Sequence, residues 1–73
     1  MAEASEVYVE LLGEGVDVWR PIRAKNLGFG IYQIVEQPYD RSVEEWRFVP
    51  GDKVVCELVS ASGGKILAAV RKV

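Results

Sequence analysis

Apolar and polar positions alternate along most of the chain. Val7, Val9 and Leu11 alternate with Tyr8, Glu10 and Leu12, the period-two signature of a β-strand with two unlike faces. Gly13-Glu14-Gly15 reads as a turn. A second strand follows, with Val16, Val18, Arg20 and Ile22 on one face and Asp17, Trp19, Pro21 and Arg23 on the other. Pro21 has no N–H to donate, so this strand is expected to be an edge there or to carry a bulge. Such a bulge would invert the face and bury Trp19 instead. Asn26-Leu27-Gly28 is read as the next turn. The third strand sets Phe29, Ile31, Gln33 and Val35 against Gly30, Tyr32, Ile34 and Glu36.

The pattern breaks from Gln37 to Glu45, which reads as a surface loop. Ser42 is a fitting N-cap for a short helical turn, with Glu45 at the capping-box position. Trp46 and Phe48 are expected to anchor this loop to the core. Pro50-Gly51-Asp52 carries type II turn chemistry. A fourth strand, Lys53 to Ser60, sets Val54, Cys56 and Leu58 against Val55, Glu57 and Val59. Ser62-Gly63-Gly64 reads as a tight hairpin turn of the primed kind. The last strand, Lys65 to about Lys72, has Ile66, Ala68 and Val70 on one face.

Five short strands in so few residues cannot form a well-covered flat sheet. Curling into a small barrel removes the edges and encloses a core. The expected fold is therefore all-β: a five-stranded antiparallel small barrel over residues 6–73, with residues 1–5 as a flexible tail. The predicted core is Val7, Val9, Leu11, Val18, Ile31, Val54, Cys56, Leu58, Ile66 and Ala68.

Composition narrows the function. With 73 residues, 49% of them hydrophobic, the chain is expected to build one core and no deep substrate cavity. It has no histidine, which removes Ser-His-Asp and Cys-His catalysis and histidine-ligated zinc. Cys56 is the single cysteine, too few for a disulfide or a redox pair. The expectation is no catalytic residue, no cofactor and no metal. A disulfide-free small domain suits a reducing compartment. Neither a signal peptide nor a membrane-length apolar run is seen, so the cytoplasm is the expected location and no membrane partner is expected.

The elements Val18-Trp19-Arg20-Pro21 and Glu45-Trp46-x-Phe48-x-Pro50-Gly51 carry a resemblance. The chain, from about residue 6 to 70, resembles a group of short bacterial proteins that look like stand-alone SH3-like barrels. That likeness implies an SH3-like fold and no particular activity. The Pro-Gly-Asp step into a strand recurs in Tudor-like and KOW-like barrels.

Binding is then the class left to weigh. Trp19, Arg20 and Arg23, with Tyr32, form the candidate surface: an aromatic beside arginines has hot-spot composition. The expected partner is a protein or peptide, contacted by Trp19 and Tyr32 and oriented by the two arginines. The alternatives are RNA or single-stranded DNA, and a purely structural or homo-oligomeric role. Nine basic against eleven acidic residues disfavour nucleic acid. The acidic pair Glu44-Glu45 is read as solvated charge, and Cys56 as a small core residue.

Overall fold

The structure is a computed structural model that describes residues 4–15 and 18–73. Its elements are β1 (Ser5–Leu12), β2 (Trp19–Gly28), β3 (Ile31–Ile34), the two-residue β4 (Glu45–Trp46), β5 (Lys53–Ala61) and β6 (Gly64–Lys72). Val16 and Asp17, expected to open the second strand, lie outside the described residues. None of the described residues forms a helix long and apolar enough to cross a membrane.

Five strands close into a ring in the order β1-β2-β3-β5-β6, and β4 adds to the end of β1. The pairs β1–β2, β2–β3, β3–β5 and β5–β6 are antiparallel, whereas β6 meets β1 in parallel at Tyr8 and Ala68. This corrects the wholly antiparallel expectation. Strand direction cannot alternate all the way round a ring of odd number, so one neighbouring pair must run the same way.

Inward rows follow from the registers. Val7 stands opposite Ile22, Ala24 opposite Ile34, Tyr32 opposite Val54, and Cys56 opposite Ala69. Together with Val9, Leu11, Trp46 and Phe48 these residues, except the half-buried Tyr32, form the buried apolar cluster. Trp46 and Phe48 therefore anchor the loop as expected, and Cys56 is a core residue.

Of the other expected core positions, Ala68 is buried as expected, while Ile31, Leu58, Ile66 and Val18 are not buried. In β3 the inward row is Tyr32 and Ile34, so Ile31 faces outward beside Val55 and is only half-buried. Leu58 is 69% exposed. It lies past Val55, the last β5 residue that β3 pairs, so the ring no longer covers it. Ala68 is fully buried, but in the outward row opposite Glu57 and outside the main cluster. Ala69 and Leu67 hold the inward row of β6, and Ile66 and Val18 are half-buried. A bulge between the pairs Val55–Arg71 and Cys56–Ala69 shifts that register by one residue.

The turns also differ in part. β2 runs on through Asn26 and Leu27, and the reversal is Phe29-Gly30, with φ of 57° and 76°. Two successive positive φ values make this the primed hairpin turn. At the other hairpin the positive φ falls on Gly64 and not on Ser62 or Gly63, so that turn is not primed. The Pro50-Gly51 turn is as expected: Gly51 has φ 96°, and Asp52 N–H donates to Val49 O at 3.0 Å.

Pro21 fits β2 for a reason visible in the ladder. Leu11 N–H donates to Val18 O, which sets the alternation of β1–β2 hydrogen bonds. Pro21 consequently turns its nitrogen away from β1, toward the side where β3 begins pairing only at Ala24. Pro21 thus sits on a local edge.

Candidate functional site

Arg20 belongs to the inward row of β2, opposite Val9. At this end of the ring it reaches out and grips Glu44 with two parallel hydrogen bonds, Nε to Oε1 at 2.8 Å and Nη2 to Oε2 at 2.7 Å. The Trp46 indole N–H donates to the same Oε1 at 2.8 Å. Tyr39 stacks on Trp46 with ring centroids 4.4 Å apart, and its hydroxyl accepts the Trp46 backbone N–H. The hydrogen bonds from Arg20 and Trp46, with the arginine's charge, hold the Glu44 carboxyl below its usual range. Glu44 correspondingly raises Arg20. Glu44 is thus a hub that closes the loop over the core, not the solvated charge expected. Arg20, expected as a binding residue, is engaged here by Glu44 while its side chain stays about half exposed.

Ahead of this hub, Asp40 caps the tight turn. Its carboxylate accepts from the Ser42 N–H and hydroxyl, and its carbonyl accepts from Val43 and Glu44 N–H. The cap is therefore Asp40 rather than Ser42. The Ser42 hydrogen bonds keep the Asp40 carboxyl below its usual range.

Trp19 lies in the outward row of β2, opposite Glu10, and is half-buried. Its indole N–H is shielded from solvent and has no hydrogen-bond partner among the described residues. Arg23 is in the same row four residues on, exposed, and roughly 13 Å away along the strand. Its backbone is capped by the Gln37 side chain, which accepts from Arg23 N–H at 3.0 Å and donates to Arg23 O at 2.8 Å. A primary amide here stands in for a strand partner. Tyr32 faces inward and packs against the core, contrary to its expected exposure. The four expected residues do not converge: Trp19 and Arg23 share the outer face of β2, Tyr32 packs inward, and Arg20 leaves the inward row at the end of the ring to meet Glu44.

What residue-by-residue reading missed is a row made only by register. Lys25 of β2 stands opposite Gln33 of β3, and Gln33 stands opposite Lys53 of β5. All three lie in outward rows, alternating with the inward Ala24, Tyr32, Ile34 and Val54. Beside them a groove of about 240 Å³ is lined by Lys25, Gln33, Ile34, Val35, Glu36 and Gly51. The Gln33 amide makes one long hydrogen bond, 3.4 Å to Gly51 O. The Cys56 thiol is pushed up to about 11 by burial, which leaves it protonated and unreactive near neutral pH.

Comparisons with protein families, with curated proteins and with solved structures gave no match to this chain.

Proposed function

We propose that the chain is a small SH3-like barrel that acts as a non-enzymatic binding module for a protein or peptide in the cytoplasm. Support for the barrel reading comes from the ring of five strands in chain order, broken only by the two-residue β4. The observation that carries the binding reading is the outer face of β2. It presents the partly exposed Trp19 with Pro21, then the cationic Arg23 and Lys25, in a single row. Apolar area flanked by cations is the composition of an interface centre with a polar rim. Because Tyr32 packs against the core and Arg20 is paired with Glu44, the reading rests on Trp19 and Arg23.

The test is capture of partners from the source lysate on immobilised wild type and on Trp19→Ala, with circular dichroism confirming that the variant is folded. The expected result is loss of the wild-type partner by about ten-fold or more, the scale of a tryptophan hot spot. Equal recovery on the folded variant overturns the reading.

A further inference from the structure

Building on that reading of the chain as a binding module, we infer that its partner is an acidic polypeptide segment laid across the outer face of β2, β3 and β5. The line Lys25–Gln33–Lys53 crosses three neighbouring strands. With strands about 4.8 Å apart, the two lysines stand roughly 10 Å from each other at the backbone. Arg23 lies about 7 Å along β2 from Lys25, on the same face. Their stems reach carboxylates two residues apart on an extended chain, which repeat about every 7 Å.

The charge arrangement singles out this face. Arg20, Arg41, Arg47, Arg71 and Lys72 are each within 4 Å of a carboxylate. None of the ion pairs among the described residues includes Arg23, Lys25 or Lys53. The same holds for Lys65, but it sits opposite Ser60 near the distant β5–β6 turn. In a molecule of net charge −2, this face therefore gathers cations that form no ion pair among the described residues. Cationic clusters of this kind steer and orient anionic partners.

Two features select a polypeptide over a phosphate polymer. Glu36 lines the adjoining groove with Lys25, and Glu6 stands opposite Arg23. Both repel a uniform polyanion, whereas a peptide can set carboxylates on the lysines and a neutral residue between them. The row also lacks an aromatic on which a base could stack, because Tyr32 points inward. Gln33, with its one long hydrogen bond, is placed to exchange hydrogen bonds with a peptide group.

The experiment measures fluorescence anisotropy of a short labelled peptide alternating glutamate and alanine, at low ionic strength. Its counterparts are a lysine–alanine peptide and a mixed-sequence single-stranded oligonucleotide. Wild type should bind the acidic peptide and release it as salt rises. Lys25→Glu with Lys53→Glu should weaken it by about ten-fold or more. Gln33→Lys should strengthen it, and Lys65→Glu should change it by no more than about two-fold. No binding of the acidic peptide, an equal loss in Lys65→Glu, or tighter binding of the oligonucleotide overturns the inference. In the lysate assay, a partner lost on Trp19→Ala but retained on the double lysine variant sinks the acidic-partner inference alone. A partner retained on both sinks the binding-module reading as well.

Discussion

Glu44 shows how a residue's chemistry is decided by neighbours that are remote in sequence. Its carboxylate takes two hydrogen bonds from Arg20, 24 positions away, and one from the indole of Trp46. A carboxyl whose pKa is lower folded than unfolded stabilises the fold fully above its ordinary pKa of about 4.5. That contribution is lost as pH falls through the lower folded value. Asp40, lowered by its Ser42 hydrogen bonds, adds to the same acid limb. Urea midpoints measured from pH 7 downward should therefore fall below about pH 4.5. In Glu44→Gln the neutral-pH midpoint should drop, because Arg20 and Trp46 lose the acceptor. The acid limb should become shallower without vanishing, because Asp40 still titrates. An unchanged acid limb in Glu44→Gln would show that the hub does not hold the loop. Sequence alone marks Arg20 as a cation with a neighbouring indole. It holds no sign that the cation is committed, since the pairing depends on how the 37–45 loop lies over the ring.

At the scale of the element, β2 and β3 differ in how plainly they can be read. Past Pro21 the β2 pattern Ile22, Arg23, Ala24, Lys25 alternates apolar with charged, and only Ile22 and Ala24 are buried. In β3 both rows are partly apolar: Ile31 on one side, Tyr32 and Ile34 on the other. Periodicity cannot choose between such rows, and the hairpin turn decides instead. That turn carries an avoidable strain. Phe29 has φ 57° and its side chain is fully exposed, so its backbone strain is offset by no burial. Left-handed φ costs a residue with a Cβ roughly 1–2 kcal/mol, and asparagine tolerates it far better at a primed turn. Phe29→Asn should stabilise the protein by about 1 kcal/mol in urea denaturation. A destabilised variant would mean that the ring of Phe29 makes a contact its exposure does not show.

The whole molecule depends on one seam. Four neighbouring pairs in the ring follow chain order or skip only β4, and each is an ordinary antiparallel ladder. Closure falls to β1 and β6, the first and last strands, which bridge in parallel at Tyr8 and Ala68. Alternation along each strand is local and readable, but closure is a property of the count. An odd ring demands a parallel pair somewhere, and ladders between sequence neighbours are antiparallel, so the two ends of the chain must supply it. The same geometry explains why Leu58 reads as core yet stands exposed. Its strand continues the period-two pattern after the β3 partner has ended. At the seam Ala68 is fully buried in an outward row, between Tyr8 on one neighbour and Glu57 on the other. With no exposed surface at Ala68, a larger side chain there has to displace its packed neighbours. Ala68→Leu should cost about 1–3 kcal/mol through overpacking. For a domain of this size that lowers the melting temperature by several degrees, at about 4–8 °C per kcal/mol. Ser62→Ala, at the exposed β5–β6 turn, should stay within about 0.5 kcal/mol of wild type. Should the two variants melt together, β6 would not be packed against β1, and the ring would be an open sheet whose edges lie at the two ends of the chain.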